Sequence, residues 1–220
     1  MCQCQAILDA LFHISPAEYP GITGLGILCG KYIFTCAHSY NYLPVGLHDV
    51  CLFDVKRVYD GAEATFAMYV ATTMDAMILA PDGMNAGLAD DDGPTSSAMD
   101  MYYQFRDKHT PLRPAAISFR PGYNSAAVDG FFFAPDGRAM HRTQFHLDNN
   151  SPVIRFYYDD MPNGCSGGPL FTDDLKLIGI ATSQSNGPVK NGHKECIGKR
   201  IDLCFPVYVH QELDWEVLSL

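Results

Sequence analysis

The chain has 220 residues, 47% of them apolar and 18% charged, with a formal net charge of −10. Such a composition suits a globular protein with a well-buried core and excludes a disordered or fibrous one. A surplus of carboxylates without a basic patch also excludes a nucleic-acid partner held mainly through its phosphates. No segment reaches the roughly 18 consecutive apolar residues of a membrane helix, so no membrane span is expected.

The first residues, "MCQCQAILDALFHIS", hold no Lys or Arg and carry Asp9 inside their apolar stretch, which makes a poor secretory signal. The cysteines at 2, 4, 29, 36, 51, 165, 196 and 204 are therefore read as reduced thiols, and the protein as cytoplasmic. Cys2-x-Cys4 has neither the spacing nor the partners of a zinc site, so no metal and no cofactor is expected. Ile7, Leu8, Leu11, Phe12 and Ile14 fall on one side of a helix over residues 5–14.

Short strand-like runs follow, "GLGILCG", "KYIFTCAH", "DVCLFDVKRVY", "TFAMYVATT" and "AMILAP", each bounded by Gly, Pro, Asp or Asn. Residues 83–111 are turn-rich and acidic, with Asp90-Asp91-Asp92 as a solvated loop. Strand-like runs then return: "AAISF", "AVDGFFFAPDGRAMHRTQF" with a hairpin turn at Pro135-Asp136-Gly137, "PVIRFYY", "GPLF", "LKLIGIATS" and "RIDLCFPV". The last stretch, "YVHQELDWEVLSL", reads as a closing helix. The predicted division is a helical segment at 1–19, a β-rich half at 20–84, a linker at 85–110, a second β-rich half at 111–207 and a terminal helix at 208–220. Many short strands without βαβ alternation predict an all-β protein, built as barrels or sandwiches.

Chemistry concentrates in "NGCSGGPLF", Asn163 to Phe171, where Cys165 and Ser166 stand side by side. Acyl transfer needs a nucleophile, a base, and backbone N–H donors aimed at the developing oxyanion. A donor pair can be built from the nucleophile's own N–H and that of the residue two before it, a place that favours Gly. With Ser166 as nucleophile that residue is Gly164; with Cys165 it would be Asn163. The glycines fit Ser166. Gly-x-Ser-x-Gly is also the spacing of the α/β-hydrolase nucleophile elbow, but Pro169 interrupts the helix that should follow, and strands precede it.

Gly164-Cys165-Ser166-Gly167-Gly168-Pro169 resembles the serine motif of the chymotrypsin/trypsin superfamily, nearest its HtrA-like and glutamyl-endopeptidase-like branches and without a PDZ domain. "IFTCAH", Ile33 to His38, resembles the histidine motif, and Asp75 in "MDAMILA" opens an apolar strand as the family's aspartate does. The order His38, Asp75, Ser166 is the family's order. The resemblance implies two six-stranded antiparallel β-barrels with short terminal helices and serine endopeptidase activity through an acyl-enzyme. His38 would be the base, Asp75 its orienter and Ser166 the nucleophile, with the N–H groups of Gly164 and Ser166 as oxyanion hole. Activity should then fall as pH drops through the ordinary histidine pKa of about 6.5.

By the same resemblance a polypeptide substrate adds as a β-strand along Ile180, Ala181, Thr182 and Ser183, and Thr182 supports Asp75. Asp160 stands where trypsins keep the carboxylate that receives a basic side chain. The strand histidine with which some relatives read Gln or Glu would fall near Ala181 and is absent. Cys165 replaces the aspartate of activated zymogens, and Ser39 follows His38 where secreted members often have a disulfide cysteine. Both departures suit an enzyme made in active form. Histidines 13, 48, 109, 141, 146, 193 and 210 are read as surface or core residues. Alternatives are a viral-type processing protease of the same fold, and a catalytically silent module that binds extended peptides.

Overall fold

The computed structural model describes residues 3–40, 52–81 and 96–220. A short helix α1 (Gln3–Asp9) precedes a closed barrel of six strands: β1 (Leu11–Pro16), β2 (Gly24–Cys29), β3 (Tyr32–Thr35), β4 (Leu52–Arg57), β5 (Glu63–Ala71) and β6 (Met77–Pro81). Their order around the barrel is β1-β2-β3-β6-β5-β4, antiparallel throughout. Helix α2 (Ser96–Lys108) and strand β7 (Ala115–Ser118) come next. The second closed barrel holds β8 (Ser125–Phe133), β9 (Met140–Asp148), β10 (Val153–Tyr158), β11 (Pro169–Thr172), β12 (Leu177–Lys190) and β13 (His193–Arg200), ordered β10-β13-β12-β11-β8-β9. Helices α3 (Ile201–Cys204) and α4 (Val207–Glu212) follow, and strand β14 (Glu216–Ser219) pairs in parallel with β7.

Alternation drives the closure. In β4 the side chains of Phe53, Val55 and Arg57 are buried while Leu52, Asp54 and Lys56 face out, the period of a strand with one wet face. Phe12, Ile14, Leu25, Ile27, Phe34, Phe66 and Ile78 complete the first core. Phe132, Phe145, Leu147, Ile154, Phe156, Leu170 and Ile178 fill the second. Joining the last strand to the first leaves neither sheet with an open edge.

Four sequence expectations change. The helix expected over 5–14 stops at Asp9, and Leu11–Pro16 is a barrel strand, so the first barrel begins before residue 20. Phe12 and Ile14 satisfy a period of two as well as a helical period, and pairing with β2 and β4 decides between them. The described part of the 85–110 linker is helical over Ser96–Lys108, because Ala98, Met101 and Phe105 form one buried face. "RIDLCFPV" is not a strand: β13 ends at Arg200 and Ile201–Cys204 is helical. The closing helix is only Val207–Glu212; Glu216–Ser219 alternates half-buried and exposed side chains and pairs with β7.

Candidate active site

The first barrel brings His38 and Asp75 together through strand register. β3 pairs with β6, matching Thr35 to Met77, so the chain leaving β3 and the chain entering β6 lie side by side. His38 opens a 3-10 turn (His38–Tyr40) three residues after Thr35. Asp75 sits two residues before Met77 with φ of 65°, a left-handed conformation that aspartate tolerates better than most residues. Its Oδ1 accepts the N–H groups of Ala37 (3.2 Å) and His38 (2.7 Å), and its Oδ2 lies 2.9 Å from His38 Nδ1. The carboxylate is therefore fixed by main chain before it meets the ring.

From the second barrel comes the loop between β10 and β11. Ser166 Oγ lies 3.1 Å from His38 Nε2, and 3.3 Å from the carbonyl oxygen of Thr182. The loop is tied to the first barrel, where the N–H of Leu25 donates to Ser166 O at 2.9 Å. Gly167 makes that approach possible: its φ is 82°, and a Cβ there would fall 2.2 Å from Leu25 O and 2.3 Å from Thr35 Oγ1. The N–H groups of Cys165, Gly167 and Gly168 are taken by Pro162, Ala181 and Cys165 carbonyls, whereas those of Gly164 and Ser166 meet no acceptor among the described residues. Gly164 reaches its φ of 93° because it has no Cβ.

Electrostatics separate the two neighbours in the motif. The thiol of Cys165 is buried in the core of the second barrel, and desolvation pushes its pKa up to about 12. Ser166 is the residue that faces His38. The Asp75 carboxylate pushes the His38 imidazolium up to about 10, with Cys36 adding to it and burial opposing both. No group of three or more His, Cys, Asp or Glu side chains among the described residues could hold a metal.

Other expected site residues are placed differently. Thr182 Oγ1 donates to Ile197 O at 3.1 Å, not to Asp75; the main-chain amides of Ala37 and His38 hold the aspartate instead. Ile180 and Ala181 lie inside β12 between β11 and β13, where Ala181 N–H donates to Gly168 O. Neither residue offers a free edge to a substrate strand. Ser183, three residues beyond Ile180, the last register partner of β11, is exposed. Asp160 is an exposed carboxylate bound to Lys194 Nζ at 2.6 Å, and that ammonium lowers its pKa. Its charge is already matched.

One feature that the motifs did not reveal is Gln184. Its Oε1 accepts the N–H of Met161 at 3.0 Å and its Nε2 donates to Met161 O at 3.1 Å. The segments 161–166 and 182–184 are thus joined at two points, by Ser166 Oγ on Thr182 O and by the Gln184 carboxamide on Met161.

Neither protein-family models nor curated protein sequences give a match to the chain. Among solved structures, it is similar to the tobacco etch virus protease with bound product, at a TM-score of 0.52 and 12% identity, over 94% of this chain and 80% of that one. It is similar to Deg5 at 0.50 and 16%, over 94% and 88%, and to a serine protease of human pathogenic astrovirus at 0.49 and 17%, over 89% and 91%. The first two superpositions and the two closed barrels together establish the architecture: the chain has the chymotrypsin fold.

Proposed function

We propose that the protein is a serine endopeptidase that cleaves polypeptides through an acyl-enzyme. The observation that carries this reading is the line Asp75–His38–Ser166, with contacts of 2.9 and 3.1 Å, drawn from both barrels. Ser166 Oγ attacks the scissile carbonyl carbon while His38 Nε2 takes the hydroxyl proton. Asp75 holds Nδ1–H and stabilises the imidazolium that forms. The carbonyl oxygen becomes an oxyanion, received by the N–H groups of Gly164 and Ser166, each donor lowering the barrier by about 3–4 kcal/mol. His38 then gives its proton to the leaving amine, and water, activated by the same imidazole, releases the acid.

The raised thiol pKa of Cys165 and its burial support oxygen rather than sulfur as the attacking atom. A substrate strand is received at Ser183 and beyond, past the last pairing of β12 with β11. The free thiols of Cys29, Cys36, Cys165, Cys196 and Cys204 support a reducing compartment such as the cytoplasm. Proteolysis of an unfolded protein such as casein tests the reading: wild type should cleave it, and Ser166→Ala should lower kcat by at least about 1000-fold. Equal turnover by Ser166→Ala, or none by wild type, would contradict it.

A further inference from the structure

Helix α1 leaves a gap against the second barrel. Leu8 of α1, Phe131 and Phe133 of β8, and Met140 and Arg142 of β9 line a cavity of about 420 Å³ there. A second cavity, of about 280 Å³, adjoins the first, since Leu8 and Arg138 line both; it carries the groove on to Val58 and Tyr59 in the β4–β5 turn. The floor is fixed by ring packing: Phe131 stacks on Phe171 with centroids 5.6 Å apart and meets Phe133 edge-on at 5.8 Å. The flanks are open, with Tyr59 61% and Met140 58% exposed. Aromatic side chains, Met and Arg are the residues that protein contact surfaces concentrate, and Met adapts its shape to what it meets. Two cavities in line suit a length of chain better than one compact ligand.

Charge says what such a chain carries. The protein bears a net charge of −10, yet the charged side chains along the groove are Arg138, Arg142 and Asp173. Arg142 Nη1 donates to both oxygens of Asp173, at 2.7 and 2.8 Å, in an exposed pair that another carboxylate can enter at little cost. Arg138 makes no ion pair among the described residues. The neighbouring Asp136 carboxylate turns into its own hairpin, where it accepts the N–H groups of Arg138 and Ala139 at 2.8 and 3.2 Å. One guanidinium is thus free, and a second is within reach, beside an apolar trough.

We propose that this groove docks a segment of another polypeptide in which apolar side chains stand next to Asp or Glu. The apolar side chains enter over Leu8, Phe133 and Met140, and the carboxylates meet Arg138 and Arg142. This docking does not depend on the chemistry of Ser166.

Selection from a display library of random peptides of about twelve residues tests the proposal, with the full chain carrying Ser166→Ala as bait so that bound peptides stay intact. Enriched sequences should join Leu, Ile, Phe or Met to Asp or Glu. A fluorescein-labelled synthetic copy of the most enriched peptide should bind at least about tenfold more weakly to Arg138→Glu and to Met140→Asp. A copy with Lys in place of its acids should lose at least as much. Both substituted positions are exposed, so the variants should fold, which circular dichroism checks. Val207→Asp, at an exposed apolar position outside the groove, should leave binding unchanged. The proposal is overturned if no peptide is enriched, if the enriched peptides are basic, or if binding survives both groove variants, which would place the peptide elsewhere. A dimer in sedimentation that Met140→Asp dissociates would give the groove to a second copy of this chain and overturn it as well.

Discussion

His38 is subject to two opposed demands. Asp75 holds its imidazolium up to about 10, yet the general base of the proposed mechanism must be neutral. Because the folded pKa lies above the unfolded value of about 6.5, the Asp75–His38 contact stabilises the fold fully below about 6.5 and ceases to do so as pH rises through about 10. Activity runs the other way. We expect kcat/KM to rise with pH through a midpoint above 6.5, an alkaline displacement that histidine's ordinary pKa does not suggest. Asp75→Asn should move that midpoint down and lower kcat by about 10⁴. A wild-type midpoint at or below 6.5 would mean that Asp75 does not hold the imidazolium. The residue types and order of His38, Asp75 and Ser166 were legible in sequence because each opens or closes an apolar strand beside glycine or alanine. Thr182's bond to Ile197 and Gln184's tie to Met161 were not, because both depend on which backbone atoms a bulged strand presents.

At the scale of elements, the strands were legible and the ends were not. The strand-like run "DVCLFDVKRVY" marked β4, and the Pro135-Asp136-Gly137 turn marked the β8–β9 hairpin. Leu11–Pro16 carried an apolar pattern that fits a helix or a strand, and only its pairing on both sides resolves it. The short helix α3 was hidden in the same way: its anchor is a buried ion pair, Arg200 with Asp202 at 2.7 Å, whose carboxylate also accepts the N–H of Ile117 in β7. Arg200 further donates to Asp148 O, so one guanidinium joins β13, α3 and the end of β9. Removing one partner strands a buried charge. Asp202→Ala should cost about 3–5 kcal/mol in urea unfolding, against at most about 1 for Glu63→Ala in the exposed Lys56–Glu63 pair. Equal losses at the two positions would show that the Arg200 pair is not the anchor.

For the whole molecule, the site exists only where the two barrels meet. His38 and Asp75 belong to the first, Ser166 to the second, and the contact is set by Leu25 N–H on Ser166 O and by the space that Gly167 leaves for Leu25 and Thr35. Sequence could supply the glycine but not the reason for it, since a close approach between units distant along the chain leaves no local pattern. On the proposed reading this interface activates Ser166 and leaves its neighbour Cys165 inert. Fluorophosphonate labelling of wild type, Ser166→Ala and Cys165→Ala, with the modified residue located by peptide mass spectrometry, tests it most directly. Label is expected on Ser166 in wild type and in Cys165→Ala, and none in Ser166→Ala. Label that persists in Ser166→Ala, or no label on wild-type Ser166, would contradict it.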